Sequence, residues 1–332
     1  MIDSGVAEEN AVKKKKSLAV IIICAFLSVI FTKVGFFSLF FLAPLGYAVL
    51  VCNSVWLPFL SAASVNAVFL IITNLFLRGS PGNISFDILY FTILFMGFAW
   101  IMGGSSLRGA YRFVLASAAG TVVFLIYINS SGSSLYAVFS EMSEMLAPVF
   151  ANSADVDPAR RSLMQQMITP ERVLEAVKIF LLRGGALAST SFVFFINRQV
   201  SIRVVSIIKK EKKDRGLTAF FAPSFTIWVL SGALAVILLT RMFRVQILEI
   251  LAWNVFVICA ILFFAQGAGI LLHFLARRTY VFRIFSCLLA VVAILSPGIN
   301  ILAASAIMLL GIVENWLPLR APKEGPASTP EP

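Results

Sequence analysis

The chain has 332 residues, 60% hydrophobic and 13% charged, with mean hydropathy +0.94. Soluble domains carry nearer a quarter charged residues, so the composition excludes a water-solvated globule. The formal charge of +11, from 27 basic and 16 acidic residues, is not a nucleic-acid footprint, because most Lys and Arg sit in short linkers between apolar runs, as in cytoplasmic loops.

Apolar runs of roughly 17–25 residues are what a helix needs to cross the hydrocarbon core. Runs such as AVFLIITNLFL (67–77) and NVFVICAILFFA (254–265) lack the alternation of a barrel strand. The expected fold is therefore all-α, a polytopic transmembrane helical bundle of about ten spans (eight to ten), multi-pass in a bilayer. The spans fall near 17–32, 35–52, 55–77, 85–102, 111–128, 174–196, 219–240, 247–273, 281–296 and 298–315.

In chain order, residues 1–16 read as an N-terminal tail ending in KKKK. The apolar run behind it lacks a small-x-small cleavage site and reads as an uncleaved first span. Residues 17–128 form a first transmembrane bundle of about five spans. Its first two are short and split by TKVG (32–35), so they are either full spans or a re-entrant pair. Residues 129–172 carry five acidic and three basic residues and read as an external amphipathic helical hairpin. Asp157 with Pro158, and Thr169 with Pro170, supply a capping residue followed by proline at the first helical position. The second of these pairs starts a helix outside the membrane that continues into span six. Four methionines, Met142, Met145, Met164 and Met167, lie in this hairpin. It reads as either an interfacial pair on the headgroups or an adaptable lid or docking surface.

Residues 173–320 form a second bundle of about five spans, with a basic loop at 198–215 holding seven basic and two acidic residues, net +5. Its last two spans are divided by SPGIN (296–300) and carry the same ambiguity as the first pair. Residues 321–332, proline-rich with a Ser and a Gly, read as a disordered tail. All basic clusters, at 13–16, Arg108 with Arg112, 198–215, Arg277 with Arg278 and Arg283, and Arg320 with Lys323, fall on one side when the span count is even. That places both termini in the cytoplasm.

Enzyme signatures are absent. There is no G-x-x-x-x-G-K-[ST] loop and hence no nucleotide motor of the chain's own. A single histidine, His273, rules out H-E-x-x-H. Neither a G-x-S-x-G elbow nor a pair of intramembrane aspartates occurs. The four cysteines, Cys24, Cys52, Cys259 and Cys287, have no C-x-x-C spacing and read as small buried hydrophobes. No catalytic residue, metal or cofactor is expected.

What remains are polar residues at membrane depth, which face a bundle interior or a cavity. The candidate substrate-binding set is Arg183, Glu249, Asn254, Gln266 and Asn66. Asp87, Asn74 and Asn300 are further polar positions in or beside spans. Arg183 interrupts IFLLRGGALAST (179–190). Eight residues in from a membrane entry near Glu175, it lies roughly 12 Å deep, where it either lines a polar cavity, with Glu249 as a partner, or snorkels outward. A fixed guanidinium fits a small anionic or carboxylate-bearing solute. Small-x-x-x-small spacing marks helix-packing positions at Gly184 with Ala188, Gly185 with Ser189, Ala116 with Gly120, and Ala265 with Gly269,.

QGAGILLHFLARR (266–278), the closing hairpin that ends PGINILAASAIMLLGIVENWLPLR (297–320), and FLAPLGYAVLVCN (41–53) together resemble the YybS-like family of bacterial polytopic membrane proteins. The first half is distantly similar to the substrate-binding S components of energy-coupling-factor transporters. The resemblance implies a bacterial cytoplasmic (inner) membrane location. The likeness to S components also implies a solute-binding or transport-related role, without an ATPase of the chain's own. The competing expectation is a membrane scaffold or assembly factor that meets lipid, or other membrane or cytoplasmic proteins, through the basic loop 198–215.

Overall fold

A computed structural model of the chain describes residues 3–52, 54–77, 81–103, 109–130, 140–141, 170–209, 216–243, 245–279 and 299–320, with scattered positions of 281–296. Among the described residues the chain is all-helical, with no strand. Most of the expected external hairpin, residues 210–215 of the basic loop, the tail 321–332 and most of the ninth expected span lie outside the described residues.

The helices are α1 (Asp3–Phe31), α2 (Ala43–Cys52), α3 (Trp56–Leu77), α4 (Pro81–Met102), α5 (Gly109–Ser130), α6 (Pro170–Phe180), α7 (Ala186–Lys209), α8 (Thr226–Phe243), α9 (Gln246–Ala276) and α10 (Ile299–Val313). Among the described residues, four helical runs are long and apolar enough to cross a membrane: Trp56–Thr73, Gly109–Ile128, Glu171–Lys209 and Gln246–Ala276. They coincide with the third, fifth, sixth and eighth expected spans. Five expected spans coincide instead with shorter apolar helices, Ser17–Phe31, Phe37–Cys52, Asp87–Met102, Thr226–Thr240 and Ile299–Val313. Large apolar side chains line the outside, Leu75, Trp228, Leu238 and Leu302 among them. Water would penalise that surface and lipid would not. The chain is a helical membrane protein.

Two boundaries differ from the sequence expectation. Helix α1 begins at Asp3, so residues 3–16 of the expected tail are helical and continuous with the first span. Helix α7 runs on to Lys209, so the first two thirds of the basic loop 198–215 are helical. Glu, Lys and Arg in these stretches are good helix formers, and no proline interrupts either one.

The chain divides into two compact units, residues 1–212 and 213–332. In the first, α2 packs against α1 and α7, α3 against α1 and α4, and α5 against α4 and α7. Its core is aromatic and dense, with Leu42, Leu45, Phe59, Phe95, Phe98 and Phe194 buried together. Small residues permit the close approaches. A Cβ on Gly46 would strike the Ser201 side chain of α7, and one on Gly120 would meet the Thr190 methyl at 2.8 Å. In the second unit α9 packs against α8, α10 and the short 3-10 turn Gly216–Ala219, around Leu230, Cys259 and Phe263. Gly267 of α9 and Gly311 of α10 face each other so closely that a Cβ on either would strike a carbonyl oxygen of the other helix, Ile307 or Phe263.

Candidate functional site

Two interruptions of helical backbone in the first unit concentrate its polar chemistry. An interrupted helix frees carbonyls and amides, which inside a membrane protein must find other partners.

The first interruption comes after α1. The chain turns at Thr32 and Lys33, passes Gly35 at φ +36, runs through a 3-10 turn at Gly35–Phe40 and restarts at Ala43. Three side chains from packed helices meet its carbonyls. Ser28 Oγ of α1 donates to the Phe41 carbonyl at 2.5 Å. Asn197 Nδ2 of α7 donates to the Leu39 carbonyl at 2.8 Å, and Ser201 Oγ donates to that of Ala43 at 3.0 Å. All three residues are fully buried. Asn197 and Ser201 stand four apart, so α7 presents both on one face. The sequence reading missed them by placing Asn197 at the edge of a loop. The i, i+4 polar pair within SFVFFINRQVS was the available signal.

The second interruption lies within the 39-residue run Glu171–Lys209. The helix starts at Pro170, the position that the Thr169–Pro170 pair predicts. Leu181–Gly185 form a π turn, with Arg183 at φ −84, ψ 30 and Gly184 at φ 102, ψ −7. The Ala186 amide donates to the Leu181 carbonyl across the turn. Ser189 Oγ donates to the Gly185 carbonyl at 2.8 Å, and Thr190 Oγ1 to that of Ala186 at 2.9 Å. Gly184 is the residue that permits the break, since φ near +100 is strained for any residue with a Cβ. Phe180 folds over Gly185 so tightly that a Cβ there would strike its ring. Arg183 itself is half-buried.

The break relocates the packing surface expected here. Gly184 and Gly185 are buried, but Ala188 and Ser189 are exposed, so the expected pairs Gly184 with Ala188 and Gly185 with Ser189 do not share one buried face. The buried face of α7 comprises Ala186, Leu187, Thr190, Ser191 and Phe194, because the kink rotates the helix beyond it. Ala116 and Gly120 are both buried on α5, facing Gly97 of α4 and Thr190 of α7 respectively.

Asn66 is buried on α3, and its Oδ1 has no partner among the described residues. Arg112 donates to the Trp100 carbonyl at 3.2 Å, capping the negative end of α4.

In the second unit the polar centre is built around Gln266. Its Oε1 accepts the Ala222 amide at 2.9 Å, and its Nε2 donates to Glu314 Oε2 at 3.1 Å. Glu314 is clamped by Arg320, Nε to Oε1 at 2.7 Å and Nη2 to Oε2 at 2.5 Å. The same guanidinium donates to the carbonyls of Thr218 and Phe220, both at 2.8 Å, and lies over the Phe221 ring at 4.0 Å. Both members of the ion pair are buried. This network locks the segment entering α8 against α9 and the end of α10. The Gln266 amide is thus engaged at both ends by the protein itself, and the chemistry here is structural. Gly269 lies against the Leu217 carbonyl of the same segment, while Ala265 is half-buried. Hence this pair serves the clamp rather than one continuous stripe.

Glu249 sits in the first turn of α9, half-buried, as is Asn254, whose Nδ2 donates to the Ile250 carbonyl. Arg183 belongs to the first unit and Glu249 to the second. His273 lies in the last turn of α9; its Nε2 has no partner among the described residues. Cys24 and Cys259 are buried free thiols. Among the described residues no cluster of His, Cys, Asp or Glu has the makings of a metal centre.

Comparison with protein-family models, curated proteins and solved structures finds no match to this chain.

Proposed function

We propose that the chain is a solute-binding or transport-related membrane protein without a nucleotide motor of its own, and that the break at Leu181–Gly185 is its recognition element. The observation that carries this reading is the placement of Arg183 on non-helical backbone inside an apolar span. Broken membrane helices are the recurrent solution for binding a solute within a bilayer, because unwound backbone persists there only when buried or lining a cavity. A guanidinium at such a break selects a small anion, and a carboxylate above all, through its two-pronged geometry. The distant likeness of the first half to S components of energy-coupling-factor transporters supports the same assignment. In this reading the protein crosses the bacterial inner membrane about ten times, with both termini cytoplasmic.

Thermal unfolding of the purified protein against a panel of vitamins, nucleobases and carboxylate metabolites tests the proposal. Stabilisation by an anionic solute, lost in Arg183→Gln, is the expected result. No shift across the panel would overturn it.

A scaffold role is the second reading, favoured by the far end of α7. Ile207 and Ile208 are exposed there beside Arg203 and Lys209, a basic and apolar combination suited to anionic lipid or a partner helix. Neutralising Lys209, Lys210, Lys212 and Lys213 separates the two readings: a scaffold loses its co-purifying partners, whereas a solute-binding protein keeps its thermal response.

A further inference from the structure

Helices α1 and α3 pack side by side and leave between them a groove of about 540 Å³, lined by Phe26 and Ile30 of α1, Val65, Val68 and Ile72 of α3, and Lys33 of the turn after α1. This volume lies within the roughly 300–1,000 Å³ typical of small-molecule sites. The groove belongs entirely to the first unit and shares no lining residue with the Arg183 break. Val29 is buried and forms its floor, while Phe26, Ile30, Val68 and Ile72 are exposed along its edges. It therefore opens sideways onto the apolar outer surface rather than inward.

Its polar content is one-sided. Ser64 is the other polar residue in the lining, and its hydroxyl donates to the Leu60 carbonyl of its own helix at 2.9 Å. The wall thus makes no further polar demand. Lys33 is the one charged lining residue. It stands exposed in the turn after α1, its amide bonded to the Ile30 carbonyl at 2.9 Å and its Nζ 5.9 Å from the centre of the Phe69 ring. Phe69 offers that ammonium a cation–π contact in the turn where α1 ends.

An apolar trough along a helix with a cation at its end matches an amphiphile with one acyl chain lying in the trough and a negative headgroup at the lysine. From Phe26 to Lys33 the trough tracks α1 for roughly 10 Å, so it seats part of an acyl chain and leaves the remainder in the bilayer. A lateral opening admits an occupant from the surrounding membrane. We infer that the α1–α3 groove is a specific binding site for an anionic membrane phospholipid, its phosphate held by Lys33.

The test reconstitutes the full-length protein into vesicles of equal phosphatidylglycerol and phosphatidylcholine, then counts retained lipid by native mass spectrometry after extraction in mild detergent. The expected result is one tightly held phosphatidylglycerol per chain, preferred about fivefold over phosphatidylcholine. Lys33→Gln should abolish that preference and Lys33→Glu should reverse it, while Val68→Trp, which fills the trough, should lower retention of both lipids. The lysine variants lie at an exposed turn, so they remain informative even where Val68→Trp fails to fold. Wild-type protein without a preference, or a preference unchanged in Lys33→Gln, would overturn the assignment. So would a lipid-independent dimer dissolved by Val68→Trp, which would make the groove a contact between copies.

Discussion

Arg320 grips Glu314 with two nitrogens, at 2.7 and 2.5 Å, while its remaining donors hold the backbone carbonyls of Thr218 and Phe220. A side chain six residues beyond its carboxylate thus ties the segment after α10 to one about a hundred residues earlier. The pair spends almost every donor and acceptor it has on the protein. That is the signature of a structural clamp rather than a vacant binding site.

Removing one member should leave an uncompensated buried charge. Glu314→Gln or Arg320→Met is expected to destabilise the protein by about 3–5 kcal/mol. Arg320→Lys should recover little, because an ammonium cannot reproduce the two-pronged grip. Thermal unfolding in detergent, read by tryptophan fluorescence, checks this; a change under about 1 kcal/mol in both single variants would sink the clamp.

The crossing of α9 and α10 depends on two hydrogens. Gly267→Ala and Gly311→Ala each place a methyl group into a facing carbonyl oxygen, and only a shift of the helices can relieve it. Each should cost about 1–3 kcal/mol. Gly232→Ala on α8, where a Cβ would meet nothing within 4 Å, should be neutral or slightly stabilising and serves as the control.

Gly184 adopts φ 102, so Gly184→Ala is expected to cost about 1–2 kcal/mol through backbone strain. If the break is the recognition element, the same substitution should weaken stabilisation by an anionic solute as well. Differential scanning fluorimetry with and without ligand reads both effects on one sample.

Asn197→Leu should unpair the Leu39 carbonyl where the chain is interrupted, at a cost of about 1–3 kcal/mol. Ser201→Ala should behave likewise with a smaller loss, since it removes one hydroxyl and inserts no bulkier apolar group. Hydrogen exchange should show the gain concentrated in Gly35–Phe40 and α2. Exchange unchanged there would mean that these side chains do not support the break.

Arg183 shows how far the sequence could be read. Its cost in lipid and the two glycines behind it made the position conspicuous, and the Thr169–Pro170 pair foretold where its helix begins. That the backbone abandons α-geometry at Arg183 and Gly184 was not legible. Glycine permits a positive φ without requiring one, and the choice lies with the packing of Phe180 on Gly185. Gln266 was singled out for being polar at depth, but its partners Ala222 and Glu314 come from 44 and 48 residues away. No local pattern encodes that distance.

Composition and hydropathy alone determined the all-helical, membrane-spanning character of this chain. Solvent preference is a property of each residue, and a lipid-exposed span must satisfy its own backbone. The rotation and register of each helix against its neighbours were decided only in the tertiary structure. They depend on which small residue meets which carbonyl, as Gly267 meets Ile307, and on which buried donor reaches an interrupted backbone, as Asn197 reaches Leu39. Contacts of that kind are set by the close packing of side chains in three dimensions, and hydropathy along one dimension is blind to them.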